Sequence, residues 1–159
     1  MLKSIISRND VTQSDQPVWL DLVRIARAEI TSENDLFPIE HALGQAISTG
    51  WRSADPGPQV IRLVFEHPID VRRIYIHVIE RAAERTQEFA LYAETADRGL
   101  HEVRRQQFTF SPHGSTEEIE DFTVDLRHLK FIELRIDPDR SHKPSASQNY
   151  ASLSGFKLA

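Results

Sequence analysis

Two apolar runs joined by a proline, within residues 59–80, constrain the fold more than any other part of the chain. The stretch reads QVIRLVFEHPIDVRRIYIHVIE, and apolar and polar side chains alternate within each run. A period of two is typical of a β-strand, because successive side chains point to opposite faces. We therefore predict two adjacent antiparallel strands at the centre of a β-sandwich. The apolar sides of these strands consist of Ile61, Leu63, Phe65, Ile74, Ile76 and Val78.

Shorter alternating segments recur along the chain, separated by turn residues. Residues 18–32 fit either a helical stripe or a strand, and we favour a strand near 27–31 after a single turn. Pro38 predicts the start of a short helix, and the two glycines and two prolines of 49–59 predict a loop. This spacing favours an all-β, antiparallel jelly-roll sandwich of about eight strands over βαβ units. Further strands are expected at about 87–94, 101–110, 119–126, 130–137 and 152–159.

Length and composition indicate one domain without covalent staples. The chain has 159 residues and no cysteine, a size that buries a sufficient core. We expect a flexible N-terminal arm over 1–17 and a single domain over 18–159. No segment resembles a secretory signal or a membrane span. With the lack of cysteines, this predicts a cytoplasmic protein that does not enter membranes.

The charge pattern argues against nucleic acid as the ligand. The formal charge is -5, from 19 basic and 24 acidic side chains, and the two signs are interspersed. Binding to a phosphate backbone requires a concentrated basic face. The segment 104–108 mixes arginines with an aromatic residue, but on an alternating strand only half of it faces one way.

A series of segments resembles a known family of domains. Gly50-Trp51 follows the predicted short helix, and the strand stretch above, then FALYAETADRGLHEV and finally ASLSGFKL come after it. This order resembles the discoidin, or coagulation factor 5/8 type C, domains among the galactose-binding-like jelly rolls. It is most similar to small stand-alone bacterial members of the carbohydrate-binding type. The resemblance covers roughly residues 26–159 and implies a jelly roll that binds carbohydrate or a similar polar small ligand.

Two positions depart from this resemblance where many members hold a structural calcium. The segment 47–51 has no carboxylate before its tryptophan, and Gly155 lies about where a glutamate is expected. Because calcium takes about six to eight oxygen ligands, we expect no cofactor and no metal. Glu33 and Asp35 are the alternative cation candidates, although a turn before a helix favours the same residue types. The seven histidines show no zinc-ligand spacing.

In such a sandwich the binding groups come from loops at one end. Sugar recognition needs an aromatic face together with planar, multidentate hydrogen-bonding groups. The alternative for the tryptophan is a core position beneath its loop, and for each charged residue it is a solvated loop position. The candidate ligand-binding residues are Trp51, Arg52, Arg85, His113, Arg140 and His142.

We expect no enzyme activity, because the sequence has no nucleophile elbow and no phosphate-binding loop. Glu118 and Glu120 would share a strand face as a carboxylate pair could, but charged residues on a solvated edge strand discourage strand pairing. We favour that second interpretation. The resemblance also extends to a sandwich domain of a eukaryotic single-strand-break repair scaffold, which binds proteins. A protein partner or a homodimer, using an outward patch of Tyr75, Ile79 and Tyr92, is therefore the alternative function.

Overall fold

The computed structural model describes residues 18–44, 49–141 and 149–159. The predicted arm over 1–17 lies outside the described residues. Within them, every strand pairing is antiparallel, which confirms the predicted fold class of about eight strands. None of the helices described is long and apolar enough to cross a membrane. In chain order the elements are α1 Leu22–Ile25, β1 Ala26–Ile30, α2 Glu40–Leu43, β2 Trp51–Pro56, β3 Gln59–Ile79, β4 Arg85–Thr95, β5 Gly99–Phe110, β6 Glu117–Asp137, β7 Tyr150–Leu153 and β8 Gly155–Leu158.

The two predicted central strands are in fact one continuous strand, β3, and that part of the prediction is wrong. The predicted alternation is confirmed, since all six apolar side chains of the two runs are buried. The two runs do not pair with each other; both pair with β6. His67 and Pro68 are exposed and continue the strand instead of turning it. Likewise, the strands predicted at 119–126 and 130–137 are one strand, β6.

The two long strands bend together and contribute to both layers of the sandwich. Their pairing is regular over 59–64 and 73–79 of β3 and shifts register between these segments. On β6, His128 adopts φ of 51° near the bend, a left-handed conformation that is uncommon outside glycine. Arg104 of β5 lies 3.9 Å from the ring centroid of Phe122 on β6, although β5 pairs only with β4. The first half of β6 therefore contacts β5 through side chains without pairing with it.

The strand order shows which elements complete each layer. The order β1-β3-β6-β4-β5 forms the main sheet, and β8 pairs with the second half of β3. β2 and β7 form a separate two-stranded sheet. The predicted terminal strand over 152–159 is divided between β7 and β8 at Ser154, whose backbone N–H donates to the His77 carbonyl.

The loop predicted over 49–59 is wrong for its first part, because Trp51–Pro56 forms β2. Trp51 pairs with Leu153, and the Ser53 hydroxyl accepts a 3.0 Å hydrogen bond from the Ala151 N–H. The partner strand is nearly a hundred residues away in sequence, so local composition carries no signal of this pairing. Proline is compatible with a short strand outside a sheet centre, and only Gly57 and Pro58 provide the turn.

The interpretation of Glu118 as part of a solvated edge strand is wrong about its solvation. Among the described residues, the first half of β6 pairs with β3 alone, since β4 pairs with β6 only over 129–137, yet Glu118 is buried, at 4% exposed. Neither of its carboxylate oxygens has a hydrogen-bond partner among the described residues. Burial, and then the charge of Glu120, raise the pKa of Glu118 to about 7. The core thus contains a carboxyl group that the fold favours in its neutral form.

Replacing Glu118 tests this buried carboxyl through the pH dependence of stability. Between pH 4.5 and about 7 the unfolded chain releases a proton that the folded chain retains, so stability falls as pH rises, by roughly 3 kcal/mol. Glu118→Gln should flatten that fall in urea unfolding measured across the range. Glu66→Gln, at an exposed position of β3, should keep it. Equal pH slopes for both variants and the wild type would contradict the account.

Gly50 is the second test, because it combines a strained backbone with a close neighbour. Its φ is 74°, and a Cβ atom there would lie 2.5 Å from the Leu153 carbonyl oxygen. Gly50→Ala should cost about 2–4 kcal/mol in urea unfolding. Gly99→Ala has a similar φ of 64° but open space, and should cost about 1–2 kcal/mol. Equal losses would show that contact with β7 does not matter.

Candidate functional site

A concavity of about 790 Å³ lies beside the second half of β3. Tyr75, His77 and Ile79 line it; they alternate with buried core residues and therefore face away from the core. On β8, Lys157 pairs with Tyr75 and Gly155 pairs with His77. The first residues of β2, the loop after β3 and the whole of β7 supply the other walls.

Aromatic rings form a row on this outer face. The Tyr75 ring centroid lies 6.0 Å from that of Trp19 and 6.1 Å from that of His77. The Lys157 ammonium is 5.5 Å from the Tyr75 centroid. A Cβ at Gly155 would be in ordinary contact with both Tyr75 and His77, at 3.6 Å. A glycine at this position therefore places no side chain against the edge of the Tyr75 ring or the Cβ of His77.

The polar partners of the rings hold them in place. His77 Nε2 lies 2.6 Å from Glu117 Oε1. Partial burial, and then the charges of Glu117 and Asp121, raise the pKa of the Tyr75 phenol. The phenol is therefore neutral at physiological pH and is able to donate a hydrogen bond.

Arg52 stands on the opposite wall, on the outward face of β2. Its guanidinium lies 4.3 Å from the centroid of the Phe37 ring, and both residues line the concavity. The Arg52 N–H donates to the Phe37 carbonyl at 3.1 Å, which fixes the loop before α2 against β2. The arginine is exposed, so its planar donors are accessible at the site.

Arg85 lies beneath the site, with a side chain only 2% exposed. Its Nη1 donates to the Tyr150 carbonyl at 2.9 Å, and Nη2 lies 3.2 Å from Glu80 Oε2. Burial lowers the pKa of the Arg85 guanidinium, while Glu80 and Asp139 act in the opposite direction. The residue thus ties β4 to β7 under the floor of the concavity.

Glu80 also shapes the loop that follows β3. Its Oε1 accepts 2.8 Å hydrogen bonds from the N–H groups of Ala82 and Ala83. This turn places Arg81, which is exposed, on the rim. The same carboxylate therefore fixes both the buried Arg85 and the loop that carries Arg81.

Three residues of the concavity have polar atoms without a hydrogen-bond partner among the described residues. They are Trp51 Nε1, Arg85 Nε and Ser152 Oγ. An unpaired buried polar group costs about 1–3 kcal/mol. A ligand oxygen that reached these atoms would therefore be stabilised there.

The six predicted site residues are only partly brought together. Trp51, Arg52 and Arg85 line the concavity, but Trp51 is fully buried, so its ring is a core element and offers no open face to a sugar. His113 lies exposed in the turn between β5 and β6 and does not line the concavity. Arg140 also lies outside it. His142 lies outside the described residues.

The Arg140 side chain contacts carboxylates of the main sheet instead. Its guanidinium lies 3.6 Å from Asp137 and 3.9 Å from Glu88. That it binds a ligand stays a prediction, as it does for the other candidates.

Sequence reasoning missed the residues that give the concavity its aromatic and basic character. Tyr75 was predicted only as part of an outward patch for a protein partner, His77 was assigned no role, and Lys157 lies in a segment predicted only as a closing strand. The available signal was the pair of ring side chains at alternate outward positions, where charged residues are more usual. Their pairing with Gly155 could not be read from the sequence.

Glu33 and Asp35 do not form a cation site with neighbours. Glu33 Oε2 accepts a 2.6 Å hydrogen bond from the Ile39 N–H, so it stabilises the start of α2. Asp35 is exposed. Across the described ranges, no group of three or more histidine or acidic side chains is placed to hold a metal ion.

Comparisons with known proteins identify the fold. No protein-family model matches the chain, and no curated protein matches it. Solved structures with the same fold include the family 32 carbohydrate-binding module of Clostridium perfringens NanJ in complex with galactose, at 17% identity and a TM-score of 0.56. It is matched over 88% of this chain and 96% of that chain.

Two further structures show the same likeness. The first holds the CBM32-1 and CBM32-2 domains of C. perfringens ZmpB with GalNAc, at 20% identity and a TM-score of 0.57, covering 88% of this chain and 35% of that one. The second is the CBM32 of AlyQ with 4,5-unsaturated mannuronic acid, at 16% identity and a TM-score of 0.57, covering 90% and 98%. The predicted galactose-binding-like jelly roll is thereby confirmed as the fold.

Arg85 should act as a structural support of the site. Arg85→Gln leaves Glu80 without its buried partner and the Tyr150 carbonyl without a donor, which should cost about 3 kcal/mol in urea unfolding. Arg140→Gln removes an arginine whose side chain is 47% exposed, and should cost less than about 1 kcal/mol. If the free energy of unfolding falls by the same small amount in both variants, Arg85 does not hold β4 to β7.

Proposed function

We propose that the chain is a non-catalytic module that binds carbohydrate in the concavity beside β3. The observation that carries the proposal is the convergence of partly exposed aromatic rings with multidentate donors in one concavity. Tyr75 and His77 face the same space as Arg52, and unpaired polar atoms lie beneath it.

This combination matches the chemistry of a pyranose. A sugar ring has an apolar face of C–H groups, which stacks on an aromatic ring, and an edge of hydroxyl groups that donate and accept hydrogen bonds. The Tyr75 ring supplies the first kind of contact, and guanidinium donors supply the second. A volume of about 790 Å³ is within the range of small-molecule sites, about 300–1,000 Å³.

The similar structures support the same class of ligand. The NanJ module was solved with galactose and the ZmpB domains with GalNAc. The identities are below 25%, so the ligand does not transfer by likeness alone. The chemistry of the concavity in this chain is what supports it.

The carboxylates near the concavity favour binding over hydrolysis. Glycoside hydrolysis uses two carboxyl groups about 5–10 Å apart. Among the described residues that line the concavity, Glu80 is the sole carboxylate, and it is engaged by Arg85 and two backbone N–H groups. Glu118, with its raised pKa, lies in the core and does not line this space.

The alternative, a protein partner or homodimer, stays a prediction. Its predicted outward patch is divided, because Tyr75 and Ile79 line the concavity whereas Tyr92 contacts Arg135 and Arg105 on the main sheet. No described surface favours it over carbohydrate binding.

A glycan array followed by titration calorimetry on the best ligand tests the proposal. Tyr75→Ala removes the stacking face and Arg52→Ala removes a multidentate donor, so each should weaken binding at least tenfold, or about 1.4 kcal/mol. His113→Ala, in an exposed turn away from the concavity, is the control and should bind as the wild type does. If only His113→Ala lost binding, the ligand would bind near the turn between β5 and β6 and not in the concavity. The absence of any glycan ligand would end the proposal.

A further inference from the structure

The concavity carries an excess of positive charge in a chain that is acidic overall. Four formal cations line it, Arg52, Arg81, Arg85 and Lys157, against one carboxylate, Glu80. The whole chain has a formal charge of -5. The concavity thus has a net positive formal charge, whereas the whole chain has a net negative one.

Arginines on the sheet faces are mostly engaged by carboxylates. Arg62 Nη2 lies 2.6 Å from Glu133, and Arg105 Nη1 lies 2.7 Å from Glu88. On the outer face of β3, close to the concavity, Arg73 Nε lies 2.7 Å from Asp121. These pairs neutralise their surroundings and leave little net field.

The cations of the concavity differ in this respect. Among the described residues, Arg52, Arg81 and Lys157 have no carboxylate within ion-pair distance; Arg52 and Lys157 lie over aromatic rings instead. Arg85 pairs with Glu80. Three positive charges without an ion-pair partner among the described residues therefore line one concave space, whose low-dielectric walls focus their field. The carboxylates closest to Tyr75 and His77 outside this lining are already engaged, Glu117 by His77 and Asp121 by Arg73.

We propose that the concavity selects an anionic saccharide, one bearing carboxylate or sulfate groups, over a neutral one. This inference rests on the proposed function. Arginine donors match the geometry of a carboxylate or sulfate in a bidentate manner. The Lys157 ammonium, 5.5 Å from the Tyr75 ring centroid, places a positive charge next to the ring that would contact a sugar.

Calorimetric titration with three oligosaccharides of matched length tests the inference. They are an oligogalacturonide, a neutral galacto-oligosaccharide and a sulfated galacto-oligosaccharide. At least one anionic ligand should bind tenfold or more tightly than the neutral one, with an affinity that falls as salt rises from about 0.05 to 0.5 M. Preference for the uronate or for the sulfate identifies which acidic group the site takes.

Charge variants locate the preference. The double variant Arg81→Gln, Lys157→Gln should reduce the ratio of anionic to neutral affinity at least tenfold. Arg127→Gln is the control, since Arg127 is exposed on β6, is paired with Asp125 and lies outside the concavity. It should leave the ratio unchanged.

The outcomes separate this inference from the proposed function. Binding of the neutral sugar as tightly as both anionic ones overturns the charge preference and leaves carbohydrate binding intact. A preference that survives the double variant overturns the assignment to these cations. Failure of all three saccharides, and of a wider glycan array, overturns both.

Discussion

The antiparallel pairing of β3 with β6 is the interaction on which the other elements depend. Each strand is 21 residues long, and together they run through both layers of the sandwich. Inward side chains such as Ile61 and Ile76 alternate with outward ones in each half of β3, on either side of the bend, and the inward set of both halves fills one core. The bend, marked by register shifts and by His128, transfers the pair from one layer to the other. Because burial fixes the inward set, the outward set of the second half, including Tyr75, is fixed as well. The position of the site residues thus follows from which side chains of β3 are buried in the core.

Buried polar groups link that core to the concavity. Arg85 leaves β4 inside the sandwich, yet its donors hold the Tyr150 carbonyl and Glu80, which shape two walls of the site. Such a group is costly to bury and is stabilised only by its partners. Glu118 is the opposite case, since it has no hydrogen-bond partner among the described residues and its pKa is raised accordingly. The first arrangement stiffens the site, whereas the second makes the stability of the whole sandwich sensitive to pH.

Alternation along single strands could be read from the sequence, and the pairing of distant strands could not. The buried positions of β3 follow from a period of two, and the helix after Pro38 follows from proline at its start. β2 was missed because its partner, β7, lies nearly a hundred residues away. For the same reason the concavity was found only in part: Arg52 and Arg85 were predicted from their loops, whereas Lys157 joins Tyr75 through the pairing of β8 with β3. The sequence shows which side chains are positively charged. It does not show that they meet in one concavity, because strand pairing brings them together.

We propose that an acidic sugar binds at the outer face of β3 and not at the loops on other sides of the sandwich. The most direct measurement is a two-dimensional NMR titration of the labelled protein with an oligogalacturonide. Saturable shifts of the Tyr75 and His77 ring signals and of the Lys157 side chain, with unchanged signals for residues 111–115, are the predicted result. Saturable shifts confined to residues 111–115, or none near β3 at saturating ligand, would contradict the account.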